Sequence, residues 1–178
     1  MPKMILFLGV QLSGKSTLAK KIAEIEKIKF VSIDGVRTYL FGRLSGPKDW
    51  TDDYSEVFFN SQTRTAYDYL FKIIKLYLDL GLSLVVEMPH LGDRESLLRE
   101  IIMKTSADFK VIWCYISQDS DEEIKKRINL RSGDAAPVRI EDYRMFKNKI
   151  KKPEAESLEV DTSLSFEQCL HDISRYLL

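Results

Sequence analysis

An unbroken apolar run, Met4-Ile5-Leu6-Phe7-Leu8, leads without a spacer into Gly9-Val10-Gln11-Leu12-Ser13-Gly14-Lys15-Ser16-Thr17. That junction constrains the fold more than any other feature of the chain. Five apolar residues in a row predict a strand covered on both faces, as in the centre of a parallel sheet. The nine that follow fit G-x-x-x-x-G-K-[ST], in which the glycines let backbone N–H groups turn inward around a phosphate. Lys15 can reach the β- and γ-phosphates of a nucleotide, and the Ser16 hydroxyl can ligate Mg²⁺. Leu18, Ile22 and Ile25 then recur at helical spacing, with Lys20, Lys21, Glu24 and Glu26 on the other faces. The helix they predict points its positive end at the same anion.

The rest of the chain alternates between strand and helix signals. Phe30 to Ile33 reads as a second strand ending at Asp34, followed by a short helix around Val36 to Phe41. Gly42, Gly46 and Pro47 mark a loop as far as Asp53. A long helix is expected over Tyr54 to Leu80, with Val57, Phe58, Tyr69, Leu70, Ile73, Ile74, Tyr77 and Leu78 as its apolar positions and Gly81 as its stop. Leu82 to Val86 is a third strand ending at Glu87, and a helix follows near Arg94 to Lys104. Phe109 to Ile116 is a fourth strand, followed by a charged helix from Asp119 to Leu130. Ser132 to Pro137 breaks that helix, and another runs from Ile140 to Ile150. Leu158 to Asp161 is a fifth strand. Ser165 and Gln168 form a capping-box signature for a last helix that carries Phe166, Leu170, Ile173 and Leu177 on one side.

This order predicts a three-layer α/β/α fold with a central five-stranded parallel sheet, a phosphate-loop nucleotide-binding architecture with a helical lid. With 178 residues, one domain over 1–178 is expected, with the lid at about 120–150. The 27 basic and 27 acidic residues cancel, so no global field favours nucleic acid or an anionic membrane. Cys114 and Cys169 match no metal-ligand spacing. Such low cysteine use fits the cytoplasm. No apolar stretch reaches membrane-spanning length, and the first one flows straight into the loop, unlike a cleavable signal.

Ligands of parallel sheets bind beyond the carboxyl ends of the strands. Asp34 and Glu87 end strands at the same edge as the loop. Each carboxylate can accept a proton from an attacking hydroxyl, or hold Mg²⁺ directly or through water. Asp34 can equally cap the next helix. Arg37, three residues on, faces the same mouth and can fork onto a substrate phosphate. Arg127 and Arg131 share a helix face at i, i+4. From a closing lid they can stabilise the charge of a transferring phosphoryl group. On a solvated face they would do nothing.

With these residues in order, the chain resembles P-loop kinases of the group that contains the polynucleotide 5′-kinase domain, zeta-toxin-like kinases and chloramphenicol phosphotransferase, an AAA-type ATP-binding kinase family. The likeness rests on Gly9 to Thr17, on Asp34-Gly35-Val36-Arg37 as a D-x-x-R element, on Arg127-Ile128-Asn129-Leu130-Arg131 as R-x-x-x-R, and on Val160-Asp161-Thr162-Ser163 before a terminal helix. It implies an ATP- and Mg²⁺-dependent phosphotransferase with a hydroxyl-bearing acceptor. Lys15, Asp34, Arg37, Arg127 and Arg131 would be catalytic, with Asp34 as general base. Gly9, Gln11, Leu12, Ser13, Gly14, Lys15, Ser16, Thr17, Arg127, Thr162 and Ser163 would contact the nucleotide. Ser16 would hold the metal, with Glu87 acting on it through water. The chain departs from the group after its third strand, where Glu87-Met88-Pro89-His90 replaces the usual Asp.

The acceptor stays open between a nucleoside, a polynucleotide 5′-hydroxyl and a small metabolite, with neutral charge disfavouring nucleic acid. A regulatory ATPase or nucleotide-dependent switch with a protein partner is the alternative. It is disfavoured by the lack of N-K-x-D and of acidic residues on the fourth strand.

Overall fold

In the computed structural model, which describes residues 1–42, 53–130 and 138–178, the apolar run becomes the middle of a sheet. Five strands, β1 (Lys3–Leu8), β2 (Lys29–Ser32), β3 (Leu84–Glu87), β4 (Asp108–Tyr115) and β5 (Leu158–Asp161), lie in the order β2-β3-β1-β4-β5. All neighbouring pairs are parallel. The helices are α1 (Lys15–Glu26), α2 (Ile33–Phe41), α3 (Asp53–Asp79), α4 (Glu95–Thr105), α5 (Asp121–Leu130), α6 (Ile140–Lys149) and α7 (Phe166–Leu177).

Strand β1 shows why the sheet must be covered twice. Met4, Leu6 and Leu8 face a core shared with α2, α3 and α4, while Ile5 and Phe7 face a second core built on α1 and α7. A strand apolar at every position has no face left for water, so helices close over both sides. A third apolar cluster, Val10, Ile116, Ile124, Val138 and Tyr143, lies past the carboxyl edge and ties α5 and α6 to the loops there. Asp119 fastens the same region, accepting hydrogen bonds from Tyr143 Oη, Arg144 and Lys147. Burial works against its charge, yet Lys147, Arg144 and Tyr143 hold its carboxyl below the usual range.

The element boundaries differ from the expected ones where a side chain outcompetes the pattern. Strand β2 ends at Ser32, and Ile33 and Asp34 already belong to α2, whose cap is Ser32: its Oγ accepts the Gly35 N–H at 3.0 Å. Asp34 is therefore a first-turn residue of a helix, neither a strand end nor the cap. Among the described side chains of α3, which exclude the expected Val57 and Phe58, the buried stripe is Ala66, Tyr67, Leu70, Phe71, Ile74 and Leu78, and Tyr69 is exposed. In α1, Ile25 is exposed and Ala19 and Ala23 take the core positions. In α7, Ser165 caps through the Gln168 N–H, but the Gln168 side chain donates to Asp172 instead of closing a capping box, and Cys169 replaces Phe166 in the core. Among the described residues no helix is long and apolar enough to cross a membrane.

The Ser32 bond satisfies one orphan N–H of α2. Ser32→Ala should cost about 1 kcal/mol of stability, read from the midpoint of urea unfolding.

Candidate active site

The register of the sheet sets the site's plan. Glu87 pairs with Phe7 on one side and Ser32 on the other. Parallel strands lie about 4.8 Å apart, so β1 and β2 leave this edge roughly 10 Å from each other with β3 between them. Gly9 follows Phe7 by two residues and Asp34 follows Ser32 by two. The loop and the D-x-x-R element therefore rise on either side of Glu87. The β1–β3 pairing continues past the strands: the Met88 N–H donates to the Phe7 carbonyl and the Gly9 N–H to the Pro89 carbonyl, both at 3.1 Å.

Gly9 crosses the end of β4. A Cβ at this position would sit 2.2 Å from the Cys114 carbonyl oxygen, and φ is +143°. Leu12 and Gly14 are left-handed, at φ 67° and 68°. Gly14 is the residue before α1, whose first turn has no side-chain cap and no acidic residue. The loop thus presents uncompensated helix N–H groups to whatever lies in its bowl. Ser13 Oγ and Gln11 Oε1 are buried with no hydrogen-bond partner among the described residues. Buried polar atoms of this kind ask for a partner, and a phosphate group fits the bowl. Ser16 is exposed at its rim.

Lys15 is buried and its ammonium lies 3.2 Å from Glu87 Oε1 and 3.4 Å from the Val10 carbonyl. Glu87, also buried, is thus the partner of Lys15. Among the described residues no group of three or more His, Cys, Asp or Glu gathers as a metal site.

On the β2 side, the Asp34 side chain is 53% exposed, and its Oδ1 is 3.5 Å from Nη1 of the buried Arg37. Burial lowers the Arg37 pKa, against the opposing pull of Asp34. Two residues not singled out in the sequence join them. Tyr67 from α3 donates its hydroxyl to the His90 carbonyl at 3.1 Å, pinning the turn after β3. Arg94 lies 4.9 Å over the Tyr67 ring. Burial raises the Tyr67 hydroxyl's pKa well above normal, although Arg94 opposes it. Burial also lowers that of the His90 imidazole, with Arg94 adding to the effect. Tyr67 was masked by its place in an apolar stripe, and Arg94 by the charged surroundings of a helix start.

The β5 side holds Arg127, Thr162 and Ser163. Arg127 is anchored by Glu123 at 2.7 Å and donates to the Leu12 carbonyl at 3.1 Å, to Thr162 Oγ1 at 3.2 Å and to the Thr162 carbonyl at 2.6 Å. It bridges the phosphate loop and the loop after β5. Thr162 in turn donates to the Tyr115 carbonyl, and Ser163 Oγ accepts the Gln118 N–H. Asp161 accepts from the Ser117 and Ser163 amides, so the loops after β4 and β5 form one stitched wall. Burial opposes the Asp161 charge, but the Ser117 and Ser163 hydrogen bonds keep its pKa below normal. The short polar run Asp161-Thr162-Ser163 was the available signal for such a turn. Arg131 lies outside the described residues, as do residues 43–52 of the loop expected as far as Asp53. So do residues 132–137.

A family profile described as an AAA domain matches residues 4–153. No curated protein sequence matches the chain. Among solved structures, a kinase from Chloroflexus aurantiacus described only as putative is similar with a TM-score of 0.71 and 20% identity, over 99% of this chain and 96% of that one. A gluconokinase from Sinorhizobium meliloti gives 0.62 and 16%, over 98% and 93%. The APS kinase of Mycobacterium tuberculosis, in complex with AMPPNP and APS, gives 0.57 and 17%, over 99% and 97%. The shared feature at these identities is the fold, which is that of P-loop kinases.

The approach of Gly9 to Cys114 leaves no room for a methyl group. Gly9→Ala should destabilise the protein by about 3 kcal/mol in urea unfolding, and should weaken ADP binding measured by titration calorimetry.

Proposed function

Because the chain belongs to the AAA domain family, we propose that it is an ATP-dependent phosphotransferase that moves the γ-phosphate to a hydroxyl of a small-molecule acceptor. One observation carries the reading: the Asp34–Arg37 pair stands beyond the same sheet edge as the phosphate bowl, with only β3 between them. A hydrolase or switch needs the bowl but not that pair.

In this reading the backbone of Gly9, Gln11, Leu12, Ser13, Gly14, Lys15, Ser16 and Thr17 cradles the phosphates, and Lys15 neutralises them. Ser16 is the residue that would hold Mg²⁺, which supplies charge neutralisation when bound. Asp34 takes the proton of the acceptor hydroxyl as the new O–P bond forms. The bond from the γ-phosphorus to the β–γ bridging oxygen breaks, and ADP leaves. Arg37 orients the acceptor. Thr162 and Ser163 flank the base. Arg127 acts from the side, holding the phosphate loop against that wall, and Arg131 remains a lid arginine for the transferring group. Residues 1–178 would work as one kinase domain, with α5 and α6 as the lid that excludes water.

The narrower likeness to the polynucleotide-kinase and zeta-toxin group rests on the D-x-x-R and R-x-x-x-R elements, taken in order with the phosphate loop and with Val160 to Ser163. The balanced net charge and the small-molecule kinases among the structural neighbours support a metabolite over a nucleic acid.

The test is a screen with γ-labelled ATP and Mg²⁺ against sugars, sugar acids, nucleosides and 5′-hydroxyl oligonucleotides. Label should pass to a small molecule. Full-rate, acceptor-independent hydrolysis would favour the regulatory ATPase instead. With the acceptor in hand, Asp34→Asn should lower kcat by about 10²–10⁴-fold while ADP binds as before. Arg127→Lys cannot span both carbonyls. It should weaken ADP binding by about tenfold, although ADP has no γ-phosphate for a clamp to grip.

A further inference from the structure

We infer that Glu87 is a positioning residue for Lys15: in the nucleotide-free protein its carboxylate holds the ammonium as a buried counter-ion, and an arriving phosphate must take the ammonium over from it. The inference rests on the nucleotide-binding reading of the loop.

The pair is built at both ends. Glu87 is the last residue of β3, in register with Phe7 and Ser32 on its two sides. Its backbone cannot drift, because the next residue, Met88, is bonded to the Phe7 carbonyl. Lys15 is the first residue of α1, fixed by the bonds that the Thr17 and Leu18 amides make to the Gly14 carbonyl. Between these anchors the side chains are only 9% and 4% exposed and meet at 3.2 Å. The neighbouring Cys114 thiol, pushed up to about 12 by burial, stays neutral and offers no counter-charge. The Val10 carbonyl supplies a second acceptor but no charge. The charge of Lys15 is therefore balanced by Glu87.

A buried pair has already left water, so separating it exposes an uncompensated charge. The ammonium sits on a flexible four-carbon stem and can swing between anions lying on either side of it. A nucleotide then binds with the strength of its phosphate contacts less the cost of parting Lys15 from Glu87. A ligand's apparent affinity falls whenever the group it needs is held elsewhere. The sign of the Glu87 effect separates this role from a role on the metal. Removing a counter-ion strengthens binding of a metal-free nucleotide. Removing a partner of metal-bound water weakens only the Mg²⁺ complex.

The experiment is calorimetric titration of ADP into wild type and Glu87→Gln with EDTA present and again with Mg²⁺. Urea unfolding of wild type, Lys15→Met, Glu87→Gln and the double variant, all without nucleotide, accompanies it. Glu87→Gln should bind metal-free ADP at least about tenfold more tightly. The unfolding data should be non-additive, the double variant losing less than the two singles together. If Glu87→Gln does not fold, Glu87→Asp, whose shorter arm lengthens the pair, should show the same tightening in smaller measure. Unchanged or weaker metal-free binding overturns the inference, as does additivity in the unfolding cycle. If wild type itself binds no ADP, the nucleotide reading falls first. If wild type binds and the variant does not tighten, only the role of Glu87 falls.

Discussion

The passage of Gly9 across the end of β4 is the contact on which the rest of the site depends. The Cys114 carbonyl occupies the space where a side chain would begin. Only a glycine lets β1 bend there into the bowl without pushing β4 away. That approach sets the height of the phosphate loop against the sheet and puts Lys15 at the start of α1. It also lets the loop meet the wall after β5, where the Thr162 side chain lies 3.6 Å from where a Gly14 side chain would start. The apolar β1 strand makes the arrangement rigid, because its two faces are clamped in separate cores.

Around this centre the charges are placed by topology. β3 lies between β1 and β2, so Glu87 stands between the bowl and the Asp34–Arg37 pair. The structure pairs that carboxylate with the Lys15 ammonium at 3.2 Å. Arg127 is engaged in a similar way. Its guanidinium is spent on Glu123, the Leu12 carbonyl and Thr162. A planar fork with several donors suits the bridging of two loops as well as it suits a phosphate.

Much of the fold was legible because its signals are local. All five strands and the helices between them follow from runs of apolar residues, from spacing, and from Gly and Pro stops. β5, over Leu158–Asp161, fell where the alternation put it. The misses share one cause. Ile33 looks like the end of a strand until the Ser32 hydroxyl captures the Gly35 N–H and starts the helix early. Tyr69 looks as apolar as Tyr67 until α3 turns its buried stripe toward β1 and β3 and leaves Tyr69 outside. Each outcome depends on a contact that spacing does not encode.

The sequence by itself determined the phosphate bowl. Glycine conformations, the lysine and the helix that follows are consequences of nine adjacent residues and a buried strand before them. The order of the sequence also put Asp34 and Arg37 at one sheet edge, although it took the structure to place both on α2, where i, i+3 spacing brings them together. Only the tertiary structure decided which charges meet. Lys15 and Glu87 are 72 positions apart and Arg127 and Leu12 115 apart. Tyr67 on α3 reaches the His90 carbonyl in the turn after β3. Such partners are chosen by the order of strands in the sheet and by the depth at which each side chain loses water, and neither is written in any single stretch of the chain.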